Sequence, residues 1–423
     1  MKSIDLLRFN RFDVAAKHLY LKNLDSGYQT DFGRHIYSSH IGIWNNFKEY
    51  DNPNKNNEQS FIDCFGDIHD SISKVGYKED LPPVPITEEG FLLNGAHRLA
   101  SCIKNGCDIR TEVTNDPKAG QIDCTSYFFL QKGLDYRVCD SIAIEYAKLK
   151  ENTFIVTVFP VATKNGNMLE IRDILVGNGC KIIHEKGVVL EGHGPINLMR
   201  QLYSGEAWGG NMQNAFSGYC LKAKYCYEGS SENPTYAFLV ECEEGGQEHM
   251  LKVKDKIREV YNLGKHSVHI NDTHEETVNL ARVFFNDNSL HFLNKASIQP
   301  FQKYDYLFTQ LKEWIKSNKY NSDDICITAS SVMSAYGMRE GQDLDYLYGG
   351  EVEPLNGHGL INEHNKEIEK YTVGKDEIMY DDRNHFYFDG VKFASLKMIH
   401  ELKEKRSEPK DLADIEIMKG VLI

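Results

Sequence analysis

The chain has 423 residues, enough at roughly 150 residues per domain for two or three domains. Apolar residues make up 41% and charged residues 26%, proportions that exclude disordered and fibrous classes. The 48 Lys and Arg against 62 Asp and Glu leave a net charge of −14 with no basic run, which disfavours a nucleic-acid partner. Single nucleotides remain open, because a phosphate needs only a few local donors.

No apolar run reaches the 18 or so residues that cross a bilayer, and Met1 to Arg8 lacks a signal-peptide cleavage pattern. The expectation is a cytoplasmic protein with no membrane partner. Ten scattered cysteines form no CxxC pair, which argues for reduced thiols rather than a structural zinc site.

Punctuation divides the chain into three α/β blocks, residues 1–145, 150–297 and 300–423. In the first, the asparagine-rich stretch Asp51 to Asn57 reads as a surface loop. A short strand, Phe91 to Leu93, then meets Asn94-Gly95, and a helix begins near Ala96. Glycine lets the backbone approach a ligand, and the first helical amides point outward unpaired. With His97 and Arg98 as added donors, the turn reads as a phosphate cradle. Asn94-Gly-Ala-His-Arg-Leu-Ala resembles the Asp/Asn-Gly-x-His-Arg signature of the ParB/sulfiredoxin-like fold, over residues 60–115 or so. The resemblance implies binding of ATP or CTP, with Gly95, His97 and Arg98 on the phosphates. It also implies an upstream acidic base, with Asp63, Asp67, Glu88 and Glu89 all available.

The second block alternates strands at 154–159, 181–190 and 236–241 with helices at 167–176, 195–203 and 247–261, the pattern of a ferredoxin-like α/β sandwich. Asp272 or Thr273 can cap a helix from His274 to Phe285, with Glu275 and Glu276 in its positive first turn. His266, His269, His274 and His291 invite a metal reading but lack a HExxH pattern. Val268-His-Ile-Asn-Asp-Thr-His-Glu-Glu resembles the nucleoside diphosphate kinase pattern, in which the phosphate-accepting histidine precedes the last helix. The resemblance implies that His269 is the catalytic nucleophile and Glu275 its orienting acid. Ile270-Asn271 replaces the usual Gly-Ser, the arginine loop is nearly absent, and Lys164 comes late for the early phosphate-binding lysine.

The third block opens with a helix over Tyr304 to Ser317. A buried run, Ile325 to Thr328, then leads through Ala329-Ser330-Ser331 to Asp343-Leu-Asp345. Alternation sends both aspartates to one face of a strand, where they repel unless cations occupy the site. Magnesium shared with triphosphate oxygens is the natural occupant, and the Ser-Ser turn would cradle the terminal phosphates. Ser-Ser followed by Asp-x-Asp resembles the nucleotidyltransferase superfamily, with a mixed sheet and helices. Alanine stands for the common glycine at Ala329, and Gly337-x-Arg339 matches many members. The resemblance places Arg339 with the nucleotide-binding residues and implies a third metal carboxylate, for which Asp382 is chosen over Asp376 and Asp389. The tail, with Lys410-Asp-Leu-Ala-Asp, reads as helix capping and packing.

The combined expectation is a magnesium-dependent transferase that moves a phosphoryl or nucleotidyl group from ATP or CTP to a small hydroxylated or sugar-phosphate acceptor. By analogy this belongs to surface-carbohydrate metabolism. The rival is a nucleotide-sensing regulatory protein built from degenerate catalytic modules.

Overall fold

A computed structural model describes every residue except 50, 51, 80, 115–121, 165–167, 243–245, 356–358 and 423. Asp51, the start of the predicted surface loop, and Asn167, the predicted start of a helix, therefore lie outside the described residues. The protein is mixed α/β, with several small sheets among many helices. Among the described residues no helix is long and apolar enough to cross a membrane.

Strands β1 (Val84–Ile86) and β2 (Thr111–Val113) form a parallel pair. Strands β3 (Thr153–Val158), β4 (Cys180–Val188), β5 (Thr235–Cys242) and β6 (Val268–Ile270) form a sheet in the order β4-β5-β3-β6. Strands β7 (Ile325–Thr328), β8 (Leu344–Tyr348), β9 (Ile361–Glu363), β10 (His385–Phe388) and β11 (Val391–Ala394) form a mixed sheet in the order β10-β11-β7-β8-β9. In that sheet β7 and β8 are antiparallel, whereas β11–β7 and β8–β9 are parallel.

Contacts divide the chain into two compact units. The first comprises Met1–Phe154, Gly179–Glu185 and Phe238–Glu244; the second comprises Ile155–Asn178, Lys186–Ala237 and Gly245–Ile423. Most of residues 150–297, and all of 300–423, thus belong to the second unit, while 150–154, 179–185 and 238–244 belong to the first.

The first unit is mainly helical. Asn57 opens the Glu58–Val75 helix with a capping box, its side chain taking the Ser60 amide while Ser60 Oγ takes the Asn57 amide. Tyr20, Tyr37 and Phe65 stack at 4.9 to 5.7 Å between centroids in the core. A buried ionic group sits beside them: Asp13 accepts from Arg11 at 2.9 Å and from Lys17 at 2.8 Å.

In the second unit Phe292, Phe386 and Phe393 stack against one another. The predicted amphipathic helix spans Gln302–Asn318 and buries Leu307, Phe308, Leu311 and Ile315. Thr273 caps the His274–Phe284 helix, and Glu276 returns its carboxylate to the Asp272 and Thr273 amides at 2.8 and 3.1 Å. The tail aspartates hold helices together. Asp411 and Asp414 both bind the buried Lys403, at 3.2 and 2.6 Å.

Candidate functional site

The sequence-predicted residues fall into three places, and they differ in how far each is equipped for chemistry.

The best equipped is a cavity of about 580 Å³ in the second unit, with His269 in its wall. On β6 the flanking Val268 and Ile270 are buried at 1% exposure, and alternation sends His269 to the other face. Opposite it on β3 stands Thr157. The imidazole packs edge-on against Tyr203 at 4.7 Å, and neither ring nitrogen has a hydrogen-bond partner among the described residues.

Four cationic side chains reach the same cavity. Lys254 and Arg258 stand one turn apart on one face of the Gly246–Tyr261 helix. Lys222 comes from the Ser217–Tyr227 helix, and Lys265 from the 3-10 turn before β6. Lys254 Nζ donates to the Ile270 carbonyl at 2.8 Å, and Lys222 Nζ to the Lys265 carbonyl at 2.5 Å. Arg258 touches Asp255 at 3.2 Å, while its Nε is buried without a partner among the described residues. Three carboxylates, Glu206, Asp272 and Glu276, also line the cavity, and Glu276 is committed to the helix cap.

Burial, followed by the charges of Lys254, Lys222 and Arg258, lowers the His269 pKa to about 3. The ring is therefore neutral at physiological pH and presents a lone pair. Burial also lowers Lys222 and Lys254 from the usual lysine range. Crowded cations beside a neutral imidazole attract an anion, which relieves their mutual repulsion. Glu275 is not among the lining residues, and Glu276 performs the capping. His266 lines the cavity, whereas His274 and His291 do not, and among the described residues no three His, Cys, Asp or Glu side chains are grouped to hold a metal.

The second place is the glycine turn of the first unit. Gly95 adopts φ +97°, and a Cβ there would fall 2.7 Å from Val84 Cγ1, so the turn requires glycine. His97 Nε2 pairs with the Tyr37 hydroxyl at 2.9 Å, and burial holds its pKa well below the usual value. Arg98 is engaged elsewhere: its guanidinium donates to the Pro82 carbonyl at 2.6 Å and to Tyr77 at 3.2 Å. A cavity of about 90 Å³ beside Gly95 and His97 takes its cations from Arg11 and Lys17, both tied to Asp13. None of Asp63, Asp67, Glu88 and Glu89 lines it; the carboxylate besides Asp13 is Glu49.

The third place is the paired aspartates. The strand begins at Leu344, so Asp345 lies on β8 and Asp343 just precedes it. Ser331 Oγ receives the Asp345 amide at 2.8 Å and ties the Ser-Ser helix start to β8. Ala329 takes φ +52° and ψ −138°, a conformation suited to glycine, held here at a cost of about 1–3 kcal/mol. The 7%-exposed Asp345 has its pKa raised to about 7 by burial and by Asp343. Asn362 donates to Asp343 at 3.2 Å, and His364 stands 3.9 Å from Asp345. Two carboxylates whose charges oppose each other fit magnesium, which takes one or two protein carboxylates and completes its shell with water and phosphate.

The other predicted members are not gathered there. Arg339 pairs with Asp414 at 2.5 Å. Asp382 precedes β10, separated from β8 by β11 and β7, and pairs with His385 at 3.2 Å. Asp389 binds Ser204 at 3.0 Å and also Lys312. The strand β11 beside β7 carries Val391, Lys392, Phe393 and Ala394 and offers no carboxylate.

Comparison with known proteins finds no matching family model, no similar curated protein and no similar solved structure.

Proposed function

We propose that the chain is a nucleotide-using transferase whose phosphoryl-transfer centre is the His269 cavity. One observation carries this reading: a neutral imidazole with no hydrogen-bond partner among the described residues faces the same space as Lys222, Lys254, Arg258 and Lys265. The sheet order β4-β5-β3-β6, with helices after β3 and after β5 and two further helices between β4 and β5, supports the likeness of 150–297 to a ferredoxin-like nucleoside diphosphate kinase. The cations replace the arginine loop that its sequence lacks.

In the transfer, a lone pair of the His269 ring attacks the terminal phosphorus of a nucleoside triphosphate. An N–P bond forms, the P–O bond to the leaving diphosphate breaks, and its electron pair departs on that oxygen. The lysines and Arg258 neutralise charge on the transferring group. An acceptor hydroxyl oxygen then attacks the phosphorus, the N–P bond breaks with its electron pair returning to the His269 ring, and the hydroxyl proton passes to solvent.

A second reading, nucleotidyl transfer in the third block, is favoured by the Ser331 to Asp345 tie and the glycine-like backbone of Ala329. There Asp343 and Asp345 would hold magnesium, which supplies charge neutralisation to a triphosphate, and Ser330 would receive its phosphates, the buried Ser331 being tied to β8 instead. In the first block Gly95 and His97 border a smaller phosphate-sized space, with Arg11 and Lys17 in the role expected of Arg98.

Incubation with γ-labelled ATP or CTP and magnesium separates these readings. Phosphoryl transfer through His269 is expected to leave acid-labile label on the protein, lost in His269→Ala. Release of labelled pyrophosphate without protein label would instead support nucleotidyl transfer. Binding with no turnover of either nucleotide would contradict the transferase reading and support a sensor.

A further inference from the structure

The His269 cavity has an apolar margin that phosphate chemistry does not use. Trp208, Leu221 and Tyr225 all line it, and they are 46%, 52% and 48% exposed. Large apolar side chains left this open around one concavity mark a surface that a ligand covers.

The placement of Trp208 is rigid. It lies on the 3-10 turn Ala207–Gly209, which docks on the Ser217–Tyr227 helix through two glycines. A Cβ on Gly218 would fall 1.9 Å from the Trp208 carbonyl oxygen, and one on Gly209 would fall 2.0 Å from the Tyr219 ring. Both contacts are therefore possible only for glycine. Tyr203 and Tyr219 brace the indole edge-on at 5.1 and 5.5 Å, and the Tyr219 hydroxyl donates to the Tyr203 carbonyl at 2.8 Å. Ala215 and Phe216, which lead into the helix, are both held at positive φ, 53° and 54°. A segment this constrained presents one ring in one place.

We infer that the ligand of this cavity carries a flat aromatic ring, a nucleobase, stacked on Trp208, and is not a bare polyphosphate. This rests on the phosphate-binding reading of the cavity. The cations and His269 take the phosphate end, and the indole takes the base. Every base has a π-face, so the contact favours a nucleotide over inorganic phosphate without selecting strongly among bases. A volume of about 580 Å³ also exceeds what a phosphate chain fills and lies in the usual range for a nucleotide-sized ligand.

The test is titration of the full chain, by calorimetry and by tryptophan fluorescence, with ATP, CTP and inorganic tripolyphosphate. Wild type, Trp208→Ala and Trp208→Phe are compared, with circular dichroism confirming the fold. Stacking is expected to make wild type bind ATP and CTP roughly five- to hundred-fold more tightly than tripolyphosphate. Trp208→Ala is expected to remove that preference and leave tripolyphosphate binding unchanged, and Trp208→Phe to keep most of it. Equal affinity of wild type for nucleotide and tripolyphosphate, or an equal loss for both in Trp208→Ala, would overturn the inference and leave the phosphate site standing. Failure of tripolyphosphate and nucleotide alike to bind would overturn both.

Discussion

Replacing Lys254 and Arg258 together by alanine is expected to weaken nucleoside triphosphate binding by at least about a hundred-fold. Each is placed to give a charge-assisted hydrogen bond to phosphate, worth about 1.5–3 kcal/mol, and about 1.4 kcal/mol is a factor of ten. Both are half-buried on one face of a surface helix, and their removal uncovers no buried counter-charge. The fold should therefore survive, which a melting curve checks. The same pair accounts for much of the field that depresses His269, so its pKa should rise in the double variant. Lys254→Arg with Arg258→Lys keeps the charge and should retain most of the affinity at low salt. Unchanged affinity in the double alanine variant would remove the cavity as the phosphate site.

Asp345→Asn is expected to stabilise the protein while abolishing any chemistry that needs a cation at the paired aspartates. The sign follows from the raised pKa. In the unfolded chain an aspartate ionises near pH 4, whereas the folded one holds its proton to about pH 7. The contribution of this group is thus most favourable below pH 4 and is lost as pH rises through 7. A displacement of about three units corresponds to about 4 kcal/mol at neutral pH, an upper limit on what the neutral amide can recover. A gain of about 1–3 kcal/mol at pH 7.5, shrinking to nothing near pH 4, is the expected result of denaturant melts at several pH values. Magnesium should raise the melting temperature of wild type and leave the variant unmoved, because the cation relieves the same repulsion. A less stable variant, or equal stabilisation of both proteins by magnesium, would contradict the paired-carboxylate assignment.

Most elements of the second block were legible because each carries a local signal, whereas the Ser217–Tyr227 and Asp287–Lys295 helices were missed. Strands such as Thr153–Val158 are runs of β-branched and aromatic residues, and Thr273 with Glu276 spells a capping box three residues apart. The amphipathic face of Gln302–Asn318 was equally plain. His269 and the Asp343/Asp345 pair were found because their motifs are contiguous. The partners of those motifs were not contiguous. Lys222 lies 47 positions before His269 and reaches the cavity only because the Ser217–Tyr227 helix packs there. A four-residue spacing of Lys254 and Arg258 hinted at a shared basic face, but such pairs are common on solvated helices.

Two of the motif arginines show the opposite failure. Arg98 and Arg339 sit in the right place in the sequence, yet Pro82 and Asp414, 16 and 75 positions away, engage them. A spacing argument sees which residues stand beside a motif and not which distant group competes for them. The same limit applies to Asp382, whose neighbouring sequence is acidic but which precedes β10, a strand three places from β8 in the sheet. Trp208 carried no motif at all; its significance comes from glycines at 209 and 218 that let a turn and a helix touch.

The state of the His269 ring tests the central assignment most directly. Nuclear magnetic resonance of the labelled imidazole, followed from pH 8 to 5, should show no titration in the free chain, since its pKa lies near 3. Saturating nucleoside triphosphate should raise that pKa by at least about one unit, because phosphate charge offsets the surrounding lysines and Arg258. A His269 that titrates near the ordinary histidine value in the free chain, or that is indifferent to bound nucleotide, would contradict the assignment of this cavity as the phosphoryl-transfer centre.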